Sequence, residues 1–361
     1  MIPLEKRQFR LLNVACLNAR VDTALFLLDT RPARAEELMN QLLNRGASAR
    51  DALTSLLDEK QILDTVLSLA ISRASYGLVK RLIAEGADVH VKTMHQIELF
   101  SRQSGEEIVQ DVTPLHLGSL HANFHGVQAL FDHRGDKATV AEMVLASDSA
   151  GRLPLHWAAR GAHGPEYHYM LPQNEIVTHT VNTVKLLLSI DPDTINARDH
   201  KGYNALWYAV SSFREGFDQH LNIPKTLLEY GAEANMRDQD GLNVLHLLAF
   251  TQNVEAVRAL LRCGASMSVK NLKGDTPLHQ AAKGKVFGYR YELATERNGI
   301  PLDAKITAQD LMMKILEEAG DGLDLMNEKN ADGKTPRQLQ QETRIKWHQE
   351  EQKRLSHMQD R

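Results

Sequence analysis

The sequence predicts an all-α fold, a solenoid of stacked helix-turn-helix units with short β-hairpin-like turns between them. Three observations carry this. A short phrase suited to opening a helix recurs as Thr113-Pro114-Leu115-His116, Leu153-Pro154-Leu155-His156, Asn204-Ala205-Leu206-Trp207, Asn243-Val244-Leu245-His246 and Thr276-Pro277-Leu278-His279, with a worn copy at Thr335-Pro336-Arg337. A second phrase, an amphipathic helix closed by Gly-Ala, precedes several of these openings. The step from His246 to His279 is 33 residues, the length of one compact helical repeat.

Each residue type in the opening phrase has a physical reason. Thr or Asn caps the first free N–H groups of a helix. Pro at the first helical position gives up only a donor that would be orphaned there anyway. Gly151, Gly202, Gly241, Gly274 and Gly333 stand just upstream, where a tight turn needs positive φ. Leu points inward, and His is placed to bridge backbone groups of adjacent repeats. Thr113, His116, His156, His246, Thr276 and His279 are therefore expected to be structural capping residues. The pairs Ala158-Ala159 and Ala281-Ala282 are small enough for close helix packing.

The closing phrase covers Leu78 to Ala87, Thr226 to Ala232 and Val257 to Ala265. Apolar residues at i, i+3 and i+4 form one buried stripe, and the Gly ends the helix in the left-handed conformation.

Together these phrases resemble the ankyrin repeat, a turn followed by a helix opened with Thr-Pro-Leu-His-x-Ala and a second helix ending Leu-Leu-x-x-Gly-Ala. Thr276 to Ala281 matches the first-helix signature throughout. The resemblance covers residues 111–340, and 60–92 through the second-helix phrase alone. Residues 8–50 look like a degenerate repeat that keeps Leu42-Leu43-Asn44-Arg45-Gly46-Ala47 without a first-helix phrase. The expected organisation is a degenerate N-terminal helical cap (1–60), an ankyrin solenoid (61–340) of about seven or eight repeats, and a charged C-terminal capping helix or tail (341–361). Terminal units of this kind keep repeat arrays soluble.

Other spacings exceed 33. The successive steps His116–His156, His156–Trp207, Trp207–His246, His246–His279 and His279–Gln338 are 40, 51, 39, 33 and 59 residues. The longest insertions, near 161–178 and 284–307, fall between the first and second helices of their repeats, as does 211–221; another, 95–110, precedes Thr113. Insertions at one locus line up along one edge of a stack. Tyr167, Tyr169, Phe287 and Tyr289 make the two longest ones candidate recognition elements.

Composition narrows the function. A net charge of −4 gives no electrostatic reason to expect nucleic acid. Apolar runs such as Leu186-Leu187-Leu188 are far too short to span a bilayer. Cys16 and Cys263 form no disulfide framework or Cys-x-x-Cys motif, and no signal-peptide pattern opens the chain, so the expected setting is cytoplasm or nucleus. No Walker loop, Gly-x-Gly-x-x-Gly or Gly-x-Ser-x-Gly is present. His121 and His125 stand at i, i+4 but lack the Glu of a metalloprotease helix.

The resemblance implies a scaffold or interaction module rather than an enzyme, a monomer binding another protein through its concave face and inserted loops, with no cofactor. Asp199, His200, Arg237, Asp238, Asp240, Lys270 and Leu272 are its expected contact residues. The resemblance also places Asn235 where an ankyrin Asn can be hydroxylated, against the plainer role of stabilising its turn. The alternative is an enzyme or a small-molecule or metal-binding protein whose pocket is built by the insertions. His163, Glu166, His168 and Tyr289 are the candidate residues for it.

Overall fold

The computed structural model describes residues 32–44, 46, 48–50, 52–57, 60–97, 107–133, 140–161, 173–211, 222–262, 264–284, 301–320 and 324–359. It divides into two compact units, Met1–His200 and Lys201–Arg361.

In the N-terminal unit, α1 (Pro32–Asn44) is followed by an antiparallel pair, β1 (Ala52–Leu57) and β2 (Lys60–Thr65), in the register Leu57↔Lys60 to Ala52↔Thr65. First helices α2 (Val66–Ala70), α4 (Pro114–Leu120) and α7 (Pro154–Arg160) stack on one another. Second helices α3 (Tyr76–Ala84), α5 (Phe124–Asp132) and α8 (Gln173–Ile190) form the layer behind them. A short α6 (Val140–Leu145) packs on α7 and α8. The 95–110 insertion forms the arms of a second antiparallel pair, β3 (Thr93–Ile97) and β4 (Glu107–Val112), with an irregularity between Thr93 and His95.

In the C-terminal unit, first helices α9 (Ala205–Ser211), α11 (Val244–Phe250), α13 (Pro277–Lys283) and the long α15 (Pro336–Gln359) stack in series. Their partners are α10 (Asn222–Glu229), α12 (Val254–Arg262) and α14 (Leu302–Ala319). The chain thus has the all-α ankyrin-repeat architecture, with two short strand pairs added among the described residues.

The core follows the two phrases. Leu115, Leu155, Leu206, Leu245 and Leu278, the Leu of each opening phrase, are fully buried. Behind them lie Leu78, Val79, Leu82, Leu130, Leu187, Leu227, Val257 and Leu260 from the second helices. Each such side chain contributes roughly 1.5–3 kcal/mol by leaving water. The stacked first helices approach closely because Ala158, Ala159, Ala281 and Ala282 are small and buried. Gly118 is smaller still, and a Cβ there would lie 3.0 Å from Val127 and 3.1 Å from Ile71.

The second helices end as their Gly-Ala phrase requires. Gly86, Gly231 and Gly264 have φ of 98°, 90° and 81°. The next residue's N–H then reaches back to the helix, from Ala87 to the Leu82 carbonyl (2.9 Å), Ala232 to Leu227 (2.9 Å) and Ala265 to Leu260 (3.1 Å).

The long insertions are not loops to their ends. Residues 173–178 and 302–307 form the first turns of α8 and α14. The buried stripe of α8 extends through them, running from Ile176 and Val177 to Thr180, Val184 and Leu187. Residues 162–172 and 285–300, with Tyr167, Tyr169, Phe287 and Tyr289, lie outside the described residues, as do Cys16 and Cys263.

Candidate partner-binding hairpins

Four of the hairpins are each built on one side chain. Asp148 Oδ1 accepts from the Ala150 and Arg152 N–H groups at 2.8 and 2.9 Å. Asp238 does the same for Asp240 and Leu242 (2.9 and 2.7 Å), and Asn271 for Lys273 and Asp275 (both 2.9 Å). Asn330 completes the set with Asp332 and Lys334 (3.1 and 2.9 Å). The backbone closes each turn, from Gly151 N–H to the Asp148 carbonyl (2.9 Å) through Gly333 to Asn330 (3.0 Å). The signal is present in the sequence, apart from the two phrases read above: Asp or Asn stands three residues before each of Gly151, Gly202, Gly241, Gly274 and Gly333.

Adjacent hairpins are then tied side by side. In the N-terminal unit, Ser149 N–H donates to Gln110 O and His200 N–H to Ala150 O, both at 2.9 Å. In the C-terminal unit the series is Gln239 to Lys201 (3.3 Å), Leu272 to Asp240 (3.0 Å) and Ala331 to Lys273 (2.9 Å). The turn glycines are needed twice over here. Gly241 has φ of 75°, and a Cβ on it would stand 3.0 Å from Leu272 N.

The capping histidines supply the second tie. His116, His156, His246 and His279 accept at Nδ1 from the backbone N–H three residues earlier, at 3.2, 2.9, 3.2 and 3.1 Å. A backbone N–H can only donate, so Nδ1 is unprotonated and Nε2 carries the hydrogen. Nε2 then donates to a carbonyl of the following hairpin: Arg152 (3.0 Å), Ala197 (3.1 Å), Asp275 (3.0 Å) and Lys334 (3.2 Å) respectively. Burial disfavours the imidazolium, holding His116 and His246 down to about 4 and lowering His279. Thr113 and Thr276 add hydroxyl contacts of 2.8 Å to His116 and His279.

Of the contact residues expected from the sequence, His200, Arg237, Asp240, Lys270 and Leu272 are exposed, Leu272 by 77%. Asp199 is not: it is buried at the position Asp148 holds in its own Asp-x-x-Gly phrase. Asp238 is half-buried, and its carboxylate is committed to the turn. Burial raises its pKa, against the lowering effect of those two N–H bonds. Asn235 is an inter-repeat tie, accepting from Ser266 N–H at 2.7 Å and donating to Gly264 O at 3.3 Å.

The metal and pocket candidates His163, Glu166, His168 and Tyr289 lie outside the described residues. His121 caps α4 and is pushed down to about 3, by burial first and then by the charges of Arg73, His95 and Arg160. His125 is exposed, its ring 5.5 Å edge-on from His179. Among the described residues no three His, Cys, Asp or Glu converge as a metal site, and no helix is long and apolar enough to cross a membrane.

Sequence comparison with known proteins identifies repeats of this kind in part of the chain. The family model for ankyrin repeats (three copies) matches residues 217–294. The chain is 35% identical to human BCL-6 corepressor-like protein 1 over 142 residues, 39% of this chain and 7% of that protein. It is 25% identical to human Rabankyrin-5 over 264 residues, 61% and 21% of the two chains. It is 29% identical to mouse NF-kappa-B inhibitor zeta over 194 residues, 48% and 25%. The aligned part thus spans a quarter or less of these three relatives. A solved structure, the ankyrin repeat domain of Bcl-3, a member of the IkappaB family, is 19% identical with a TM-score of 0.49, covering 76% of this chain and 93% of that one. Residues 217–294 thus carry ankyrin repeats by the family model, within the ankyrin-repeat architecture described above.

Proposed function

We propose that the chain is a protein-recognition module that binds a partner protein on its hairpin tips and the concave face beside them, as a monomer in the cytoplasm or nucleus. The carrying observation is Leu272. It is 77% exposed on a hairpin whose backbone is bonded to its neighbours on both sides. A large apolar side chain held out on a pre-ordered turn loses little entropy when a partner covers it. Lys270, two residues earlier, and Arg237 and Asp240 of the hairpin to which its N–H is bonded supply exposed polar groups suited to an interface rim. The names of two relatives, an NF-kappa-B inhibitor and a corepressor, describe proteins that act on other proteins, which supports the same reading.

The test is affinity capture from a native lysate with wild-type chain and with an Arg237→Ala/Leu272→Ser variant. A protein held by the wild type and released by the variant, with unchanged circular dichroism, supports the reading. Equal retention by both contradicts it.

A further inference from the structure

We propose that the hairpin row of the C-terminal unit receives an acidic, extended segment of its partner, with carboxylates three residues apart. This rests on the reading that the hairpin tips are the contact surface, and adds the chemistry of what they contact.

The residue before the turn-forming Asp or Asn is basic in three successive hairpins: Arg237 before Asp238, Lys270 before Asn271 and Lys329 before Asn330. All three are exposed. The bonds from Leu272 to Asp240 and from Ala331 to Lys273 set these hairpins side by side, so the three cations recur once per repeat at equivalent positions.

The nearby acids do not cancel the row. Asp238 is committed to two turn N–H groups. Asp275 is buried and bonded to Lys283 and Asn330. Asp240 and Asp332 are exposed, but they belong to the position before Gly, where they alternate with Lys201 and Lys273. Glu328 lies 2.6 Å from Lys270, with the two side chains 29% and 47% exposed. That solvent-screened pair is weak and exchangeable, and it shows a carboxylate already seated on the row. Arg237 and Lys329 have no ion pair among the described residues.

Spacing selects the ligand. Stacked helices repeat at about 8–10 Å, and a chain extended as polyproline II rises about 3.1 Å per residue with about three residues per turn, so every third side chain lies on one face and meets the next hairpin. An acidic segment with glutamate or aspartate at i, i+3 and i+6 therefore matches Arg237, Lys270 and Lys329. Leu272, beside the central cation, favours an apolar residue near the middle carboxylate.

Fluorescent peptides of one composition test this on the full chain, with glutamates at every third position, with the same glutamates adjacent, or with lysines in their place. Anisotropy should show the spaced acidic peptide binding several-fold tighter than the clustered one, the lysine peptide not binding, and high salt weakening the complex. Arg237→Glu/Lys329→Glu should weaken it by about tenfold or more. Lys225→Glu/Lys346→Glu, equal in charge but on exposed helix positions, should leave it intact. Equal binding of spaced and clustered peptides, or equal loss in both variants, overturns the proposal, because bulk charge would then explain the affinity. No binding of any acidic peptide also overturns it. If the captured partner is still lost from the Arg237→Ala/Leu272→Ser variant, the recognition reading stands and only the acidic segment fails.

Discussion

In the N-terminal unit, Asp148 closes its charge within one repeat. Its Oδ1 accepts the two turn N–H groups, and its Oδ2 accepts from Arg152 Nε at 2.7 Å and Trp157 Nε1 at 3.0 Å. In the C-terminal unit, Asn271 takes the turn role without charge, and the carboxylate appears four residues later as Asp275. Asp275 occupies the position of Arg152 and reaches outward, to Lys283 of α13 at 2.6 Å and to Asn330 of the next hairpin at 2.8 Å. The turn is the same in both. Moving the charge by four residues converts a bond internal to one repeat into one shared between two. Four predictions break or sharpen this contrast, the substitutions taken from the largest effect to the smallest.

Asp148→Ala should cost about 3–5 kcal/mol, because it removes the buried carboxylate that Arg152, a side chain only 5% exposed, bonds at 2.7 Å. Urea unfolding measures the loss, which should fall on the N-terminal unit. Asp275→Ala should cost less, about 1–3 kcal/mol, since Lys283 is 31% exposed and can return to water. Its signature is elsewhere: amide exchange should quicken around Asn330, a hairpin that Asp148→Ala leaves alone. Equal costs for the two substitutions would mean that the shared and internal carboxylates do not differ as described.

How much of this was legible follows from what each signal needs. Opening phrases, closing glycines and the buried Leu of each repeat are local patterns, and the structure places them as helix starts, helix ends and core. The Asp-x-x-Gly turn was equally local, yet Asp199 and Asp238 read as free surface charge because nothing in a single phrase says where a carboxylate points. Spacing alone marked 161–178 and 284–307 as insertions. It could not say that their last residues would extend α8 and α14, because that depends on which surface Ile176 and its neighbours meet. The pairing of β3 with β4 is likewise a contact between separated segments.

The histidine ties of both units should respond alike to acid. The fold holds His116 and His246 at about 4, below the ordinary 6.5, so the unfolded chain takes up protons first as pH falls. Their contribution is complete above pH 6.5 and is lost on going down toward pH 4, at up to about 1.4 kcal/mol per pH unit for each histidine. Urea midpoints measured across that window check the sign; constant stability throughout would contradict the neutral, carbonyl-bonded assignment.

Smallest of all is Leu272→Ser, predicted to shift stability by no more than about 0.5 kcal/mol because the side chain is 77% exposed. A larger loss would show that Leu272 serves the fold rather than a partner.

The central claim is that the hairpin tips form a surface built before any partner arrives, held by backbone bonds between neighbours. Amide hydrogen exchange of the free chain tests it at two positions, the Leu272 and Ala331 N–H groups, which donate to Asp240 and Lys273. The account predicts slow exchange at both, comparable with amides inside α11 and α13, and faster exchange at Ala331 in His279→Ala, which cuts the tie to Lys334. Exchange at both sites as fast as in an open loop would contradict it.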